Sequence, residues 1–315
     1  MYVRREAVLS SQIEGTQSTL DDVLSYELDP DLSGIPDDVD EIVNYVKAMN
    51  SGLDRLATLP ISLRLLKEIH AELMATGRGS NKTPGEFRRI QNWIGAEGQP
   101  IENARYVPPP VPNMSEALNE FESFLHADDG LETLVKIGIA HAQFETIHPF
   151  LDGNGRVGRL LITFLMVTNG MLRLPLLYLS HYLKLNRLEY YDRLMAIRTD
   201  GNWEGWLKFF LRGVATVSIE AANTSRQIIG LRETLRNQIV SEGGGKNQMD
   251  LLDIAFDKPV LNVAYIRKQL GVSSPTANSL VSKFEQIGIL KETTGFRRNR
   301  KFRFESYVEL FADPI

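Results

Sequence analysis

A glycine-rich stretch near the middle of the chain contains residue types that suit phosphate binding. Gly153 and Gly155 let backbone N–H groups turn toward one point, and a helix that begins near Asn154 would add the positive end of its dipole there. Arg156 and Arg159 lie three residues apart on the first turn of that helix. We therefore expect both guanidinium groups to reach the same polyphosphate.

Two neighbouring side chains could supply a metal ligand and a base. Asp152 is a lone carboxylate beside the anion site, and Mg²⁺ suits it because this ion takes one or two carboxylates together with phosphate oxygens and water. His148 precedes the loop, and an ordinary imidazole pKa of about 6.5 allows a neutral histidine to accept a proton from an attacking hydroxyl group. The coincidence of base, carboxylate, glycines and arginines favours nucleotide transfer over the alternative, a plain helix start with a capping histidine.

Composition and charge exclude several classes of protein. With 315 residues, the chain is long enough for about two domains. Hydrophobic residues make up 43% and charged residues 24%, which excludes disorder, and a net charge of -5 argues against a surface that is basic all over. The chain has no cysteine, which excludes thiol nucleophiles and thiolate metal sites. No apolar stretch approaches ~18 residues, so we expect a cytoplasmic protein with no membrane partner.

Helical periodicity dominates the first 240 residues, so we predict a mainly α fold with a catalytic domain over residues 1–240. One interruption stands out. Residues 92–95 and 104–107 are short runs of apolar and aromatic residues, separated by glycine and proline. They predict a small β-hairpin over about residues 93–107.

A run of three glycines within residues 241–247 predicts a linker. Residues 248–315 then show the order helix, helix, hairpin, which is typical of a winged helix-turn-helix domain. From residue 245 onward the chain holds 11 Lys or Arg against 8 Asp or Glu, so this part is basic. The basic residues of the predicted wing are Arg297, Arg298, Arg300, Lys301 and Arg303. They could meet DNA phosphates; docking on a target protein and pairing two chains as a homodimer are the alternatives.

The stretch from His148 to Arg159 resembles the signature of the Fic family, His-Pro-Phe-x-Asp-Gly-Asn-Gly-Arg-x-x-Arg, with every fixed position filled. Typical members are mainly helical and move AMP from ATP to a hydroxyl side chain of a target protein. The resemblance covers roughly residues 5–240. It implies that His148 is the catalytic base, that Asp152 is the Mg²⁺ ligand, and that the hairpin is a flap that holds the target by strand addition. The residues that it implies for ATP binding are Gly153, Asn154, Gly155, Arg156, Val157, Gly158 and Arg159.

A short motif near the N-terminus is similar to the inhibitory-helix motif of the same family. Ser10 precedes Glu14 by four residues, which places both on one face of a helix over about residues 5–15, and Gly15 follows. The resemblance implies that Glu14 pairs with Arg159, takes the donors that a γ-phosphate needs and holds ATP in an unproductive pose. The alternative interpretation is a solvated helix end capped by Gly15.

An aromatic helix face near residue 190 is the candidate adenine site. In Fic proteins a tyrosine at the matching place packs on the base, and we favour Tyr191 over Tyr190. Trp203 and Trp206 are interpreted as core residues, because aromatic residues at helical spacing are more often core than ligand contacts.

Together these features predict a Fic-type domain with a small flap, joined to a winged helix. The predicted activity is ATP- and Mg²⁺-dependent protein adenylylation, inhibited by Glu14. Two other functions stay open. The same site could remove AMP from a modified protein by hydrolysis, with Glu14 orienting water, or the chain could be a DNA-binding regulator whose Fic domain senses nucleotide.

Overall fold

The computed structural model describes residues 1–30, 34–95, 98–295 and 300–312, and the fold is mainly helical. The α-helices are α1 (Tyr2–Ile13), α2 (Leu20–Leu28), α3 (Val39–Leu56), α4 (Leu63–Leu73), α5 (Val111–His126), α6 (Thr133–Ile147), α7 (Asn154–Thr168), α8 (Ser180–Leu185), α9 (Arg187–Asp200), α10 (Trp203–Ser241), α11 (Lys246–Asp257), α12 (Val263–Leu270), α13 (Ser274–Gln286) and α14 (Glu305–Val308). The strands are β1 (Val260–Asn262), β2 (Lys291–Glu292) and β3 (Lys301–Arg303). Short 3-10 helices cover Ile101–Asn103 and Glu309–Phe311.

Contacts divide the chain into two compact units. The larger unit comprises residues 2–19 and 36–218, and the smaller one comprises residue 1 together with residues 20–35 and 219–315. Along the described parts of the chain, no helix is both long and apolar enough to cross a membrane.

Helix α7 forms the centre of the larger unit. It packs against α1, α3, α4 and α6. Its residues are buried from Asn154 to Met166, apart from Gly155, which is partly exposed. Gly52 of α3 permits one of these close contacts, because a Cβ at this position would collide with the ring of Phe164. The N-terminal end of α7 is therefore fixed in place by apolar packing on several sides.

The predicted flap region pairs through an antiparallel bridge between Ile94 and Tyr106. The amide of Ile94 donates to the carbonyl of Tyr106 (2.8 Å), and the amide of Tyr106 donates back to Ile94 (3.1 Å). The phenol of Tyr106 donates to the carbonyl of Thr146 at the end of α6 (2.8 Å). This bond connects the flap region to the helix that precedes His148. Residues 96 and 97 of the predicted hairpin lie outside the described residues.

The smaller unit contains a three-stranded antiparallel sheet in the order β1-β3-β2. Asn262 caps the start of α12 by accepting from the Tyr265 amide (2.7 Å), and Gly271 ends that helix at φ 64°. Ser273 caps α13 in the same way, by accepting from the Thr276 amide (3.3 Å). The helices α12 and α13 thus each begin at a side-chain cap, with Gly271 at the turn between them.

The smaller unit also includes α2 and the second half of α10, which the sequence analysis does not group with residues 248–315. Lys258 Nζ donates to the carbonyl of Glu27 (2.7 Å), and Arg303 Nε donates to Asp21 (3.0 Å). These partners are 231 and 282 residues apart, so no local pattern could indicate them. At the predicted linker, Gly244 N donates to the carbonyl of Ile239 (2.8 Å), which makes a tight turn between α10 and α11.

Candidate active site

The loop between α6 and α7 begins and ends with left-handed backbone. His148 caps the end of α6 at φ 49°, a conformation that is uncommon for a residue with a Cβ, and Gly153 precedes α7 at φ 77°. Asn154 closes the loop, because its Oδ1 accepts from the Phe150 amide and its Nδ2 donates to the Phe150 carbonyl, both at 2.8 Å. Asn154 is buried by these bonds. The Asn154 side chain therefore shapes the loop, and its predicted contact with ATP stays a prediction for the backbone amide.

His70 on α4 supports the same loop, and the sequence analysis missed it. Its Nδ1 accepts from the Gly85 amide (2.8 Å), which leaves Nε2 to donate to the carbonyl of Asp152 (3.0 Å). The ring stacks on Phe150 with centroids 3.8 Å apart. Burial lowers the pKa of His70 to about 4, so the neutral ring that these two bonds require is the stable form. No spacing pattern indicates His70, because it lies 82 residues before Asp152.

Replacing His70 with phenylalanine tests this support. The ring stays in place, but the Gly85 amide and the Asp152 carbonyl lose their partner, so we expect a loss of roughly 2 to 4 kcal/mol in the free energy of unfolding. Denaturant unfolding of His70→Phe against wild type measures it. An unchanged midpoint would show that the two bonds do not hold the loop.

A cavity of about 560 Å³ opens beside this loop. It is lined by Glu14, Trp93, Ile94, Gly95, Arg105, Glu145, His148, Asp152, Gly155, Arg159, Arg187, Tyr190 and Tyr191. Sequence elements that are far apart along the chain therefore meet here: the end of α1, the flap region, the loop, and the start of α9. This volume falls within the range typical of small-molecule sites.

His148 is held neutral in the cavity wall. Burial, and then the positive charge of Arg198, lowers the pKa of His148 to about 4, so the imidazole is deprotonated at neutral pH. Its Nδ1 is buried and has no hydrogen-bond partner among the described residues. A neutral imidazole at the edge of a cavity can accept a proton from a hydroxyl group that enters it.

Glu14 and Ser10 both contact Arg159. Arg159 Nη2 donates to Glu14 Oε1 (2.6 Å) and to the Ser10 carbonyl (3.0 Å), while Nε donates to Ser10 Oγ (2.7 Å). Burial alone would raise the pKa of Glu14, but the charge of Arg159 and its hydrogen bond outweigh burial and lower it. Glu14 is thus ionised at neutral pH and occupies donors of Arg159.

Because Gly155 has no side chain, the Glu14 carboxylate can approach the start of α7. A Cβ on Gly155 would overlap Glu14 Oε1 and would lie 3.0 Å from Arg159 Nη1. Gly158 serves another contact, because a Cβ there would lie 2.6 Å from Glu145 Oε1. Val157 is fully buried, and neither Val157 nor Gly158 lines the cavity. These two residues, predicted as ATP contacts, pack α7 against its neighbours and lie outside the cavity lining.

The two arginines of α7 diverge, contrary to the expectation that both reach one polyphosphate. Arg159 lines the cavity, whereas Arg156 is buried outside its lining. Arg156 Nη1 donates to Glu41 Oε2 (3.1 Å), and Nη2 contacts Met74 Sδ (3.4 Å). Because Glu41 lies 115 residues earlier, local spacing could not indicate this pair.

Asp152 lies at the cavity edge with its side chain 35% exposed. Its Oδ1 accepts from the Gly153 amide (2.6 Å) and lies 3.7 Å from Arg156 Nη2. Over the described ranges, no three histidine or acidic side chains cluster as a metal cage. A cation here would therefore depend on Asp152 and on ligand oxygens, which suits Mg²⁺ bound with phosphates.

The two candidate tyrosines have different surroundings. Tyr190 is buried beside Trp206, and its hydroxyl shares a 2.8 Å hydrogen bond with His141 Nε2. Tyr191 is only partly buried, and the guanidinium groups of Arg105 and Arg187 each lie 5.8 Å from its ring. Tyr191 therefore has the more accessible ring. Trp206 is a core residue, as predicted, whereas Trp203 is only partly buried.

Comparisons with known proteins give one consistent family. The Fic/DOC family model matches residues 60–166, and the Fic/DOC family N-terminal model matches residues 1–54. Proteins called protein adenylyltransferase Fic from Culex quinquefasciatus and Aedes aegypti are 31% and 32% identical over 157 residues. Each match covers 49% of this chain and 27% of the relative, so the chain aligns with little more than a quarter of their length.

A solved structure extends the likeness in fold. The crystal structure of a Fic family protein from Desulfovibrio desulfuricans G20 matches with a TM-score of 0.59 and 21% identity, covering 96% of this chain and 86% of that one. The two family models together span just over half of the chain, and they include the cavity residues from Glu14 to Arg159. On both sequence and fold, the chain belongs to the Fic/DOC family.

Proposed function

We propose that this protein is a protein adenylyltransferase, which transfers AMP from ATP to a hydroxyl side chain of a target protein. The observation that carries the proposal is the single cavity in which His148, Asp152 and Arg159 meet the start of α7. A base, a carboxylate, and a cation at a helix N-terminus are the groups that nucleotide transfer needs. The relatives named above are called adenylyltransferases, which supports the same reaction class.

In the proposed mechanism, His148 takes the proton of the target hydroxyl group. The hydroxyl oxygen forms a bond to the α-phosphorus of ATP, and the bond from that phosphorus to the pyrophosphate oxygen breaks. Amides at Gly153 to Gly155 and the guanidinium group of Arg159 would bind phosphate oxygens. Asp152 would hold Mg²⁺, which would neutralise charge on the phosphates when bound.

The remaining contacts would position the two substrates. Tyr191 would pack on adenine, because its ring is accessible in the cavity wall. The flap region, at Ile94 and Tyr106, would pair with an extended segment of the target by strand addition. That pairing would carry the target hydroxyl toward His148, since the flap region and His148 line the same cavity.

Glu14 would act as an inhibitor of this reaction. Its carboxylate occupies Arg159 Nη2 at 2.6 Å, and Ser10 takes Nε at 2.7 Å. With these donors engaged, the γ-phosphate of ATP would lack the contact that fixes the productive pose. The protein would then transfer AMP slowly until α1 moves or Glu14 is removed.

Intact-mass spectrometry tests the proposal directly. The protein is incubated with labelled ATP and Mg²⁺, alone and with candidate targets, and the mass of each chain is measured. An adduct with the mass of AMP on a hydroxyl side chain supports the transferase. Transfer of a different phosphate-containing group would reject the proposal, and so would the absence of any adduct with the Glu14→Gly variant.

Hydrolytic removal of AMP is the alternative for the same cavity. The Glu14 side chain is 30% exposed and lines the cavity beside His148, so it could also orient a water molecule. Release of free AMP from a previously modified protein measures this activity. Release that exceeds transfer, and that is lost in Glu14→Gly, would favour the hydrolase.

DNA binding by the winged-helix region is a second proposed activity. The polar face of α13, with Ser274, Asn278 and Ser279, is exposed after the turn at Gly271, as a recognition helix would require. In the wing, Arg300 lies 3.7 Å from Glu285. Arg303 pairs with Asp21 and Glu305, at 3.0 and 3.6 Å. Phosphate contact would therefore depend mainly on Arg297 and Arg298, which lie outside the described residues.

We expect the full chain to bind duplex DNA with a log–log salt slope of about -0.9 for each phosphate neutralised. The full chain is used because α2 belongs to the same compact unit as the winged-helix region. Replacing Arg297 and Arg298 together with alanine should make the slope shallower by about two such steps. Fluorescence anisotropy over a salt series measures both. No binding at low salt, or binding that ignores salt, would indicate a protein interface instead.

A further inference from the structure

Glu145 is a carboxyl group in the cavity wall to which the proposed reaction gives no role. It lies on α6, three residues before His148. Its Oε2 is 3.9 Å from His148 Nδ1. Glu145 Oε1 and His148 Nδ1 are both buried without a well-formed hydrogen bond among the described residues, although the backbone carbonyl of Glu145 lies near enough to raise the pKa of His148. Buried polar atoms without partners cost stability, so two of them side by side point to a function.

The nearby cations do not use this carboxylate in their hydrogen bonds. Arg198 Nη2 donates to the backbone carbonyl of Glu145 (2.9 Å), and Arg198 Nε donates to Thr146 Oγ1 (3.2 Å). Arg159 donates to Ser10 and Glu14. The carboxylate is also confined, because Gly158 of α7 approaches it so closely that a Cβ would lie 2.6 Å from Oε1. His148 is therefore the group beside which Glu145 is held.

We propose that Glu145 is a positioning residue for the catalytic base, favouring the His148 tautomer with hydrogen on Nδ1 so that Nε2 is free to receive the proton. The inference rests on the proposed function, since it assigns Glu145 a part in the same reaction. When the target O–H bond breaks, its proton goes to Nε2 and the imidazole becomes positive. The Glu145 carboxylate then stabilises that charge through Nδ1–H and takes no proton itself.

The charges around the pair set its pH dependence. Burial raises the pKa of Glu145 to about 7, and burial together with Arg198 lowers the pKa of His148 to about 4. Arg159 and Arg198 favour the ionised Glu145, whereas Glu14 opposes it. The carboxylate that supports His148 is therefore lost as the pH falls through about 7. AMP transfer should rise with pH as Glu145 ionises, and in the Glu14→Gly variant this rise should lie at lower pH because the opposing charge of Glu14 is gone.

The test compares Glu145→Gln with Glu145→Asp, and uses Glu116→Gln on the exposed face of α5 as the matched control. All three are made in the Glu14→Gly variant for transfer assays. Glu145→Gln should lower kcat about tenfold, which corresponds to one pKa unit of basicity at His148, with KM for ATP little changed. It should also remove the rise of kcat with pH. Glu145→Asp should restore part of kcat and the pH-dependent rise, and Glu116→Gln should match the parent.

A second measurement follows His148 in the otherwise unmodified protein, without any need for activity. The ring signals of His148, assigned by their loss in His148→Ala, should show an inflection at about pH 6 to 8 that Glu145→Gln lacks. Identical titration curves for wild type and Glu145→Gln would overturn the inference. If Glu14→Gly transfers no AMP at any pH, the proposed function fails, and the titration curves still decide whether Glu145 and His148 are coupled.

Discussion

His148→Ala is expected to bind ATP as wild type does and to lose transfer of AMP. Loss of general base catalysis commonly lowers a rate by ~10²- to 10⁴-fold, and among the described residues that line the cavity His148 is the only histidine. Phosphate contacts from the loop amides and Arg159 do not depend on the His148 ring. Single-turnover AMP transfer in the Glu14→Gly background, with ATP binding measured by calorimetry, separates the two effects.

A matched control for this prediction is His126→Ala. His126 is exposed at the end of α5 and lies outside the cavity lining, so its loss should leave transfer unchanged. A second control checks that the variant is folded, because alanine at position 148 must adopt the same left-handed backbone, at φ 49°. Thermal unfolding should show that His148→Ala is folded. Transfer at a near-normal rate by the folded variant would remove His148 from the mechanism.

Residue types and spacing alone indicate the site residues that lie close together along the chain. The distant Glu14 and Tyr191 are indicated only by the family resemblance, and His70 is missed. His148, Asp152 and Arg159 fall within one continuous stretch, where helix-start geometry and charge can be interpreted locally. Arg156 shows the limit of such reasoning. Its spacing from Arg159 predicts a shared phosphate, but the buried carboxylate of Glu41 directs it elsewhere. Side-chain direction is decided by partners that helical periodicity does not contain.

Prediction of the fold likewise succeeds for elements with local signals and fails for contacts between distant parts of the chain. The helices α12 and α13 have local start and stop signals that a sequence can carry, namely the caps Asn262, Gly271 and Ser273. The assignment of α2 to the smaller unit has no local signal, because it depends on contacts such as the one from Lys258 to Glu27. His70 belongs to the same class as α2, because it meets the loop only when α4 packs against it. Glu145 lies only three residues before His148, but its burial without a hydrogen-bond partner is visible only in the folded chain.

Glu14→Gly is expected to raise adenylylation of the protein itself by roughly ten- to a hundredfold. The change removes a charge-assisted hydrogen bond to Arg159 worth about 1.5 to 3 kcal/mol, which corresponds to that shift toward the productive pose of ATP. Because Arg159 holds the pKa of Glu14 below its ordinary value, the carboxylate is fully ionised at neutral pH. The inhibition should therefore be present throughout the neutral range and weaken only in acid. Intact-mass measurement of self-adenylylation over time gives the ratio of rates.

The double variant Glu14→Gly, Arg159→Ala decides whether the gain passes through the freed guanidinium group. Arg159 donates to Glu14 at 2.6 Å through Nη2, so this donor becomes available to the γ-phosphate when the carboxylate is gone. Removing Arg159 leaves the γ-phosphate without that donor, and the gain should disappear. Glu14→Gln should give an intermediate rate, because it removes the charge but still fills the space beside Gly155. Equal self-adenylylation by wild type and Glu14→Gly would mean that Glu14 only ends helix α1, and that the contact with Arg159 is structural.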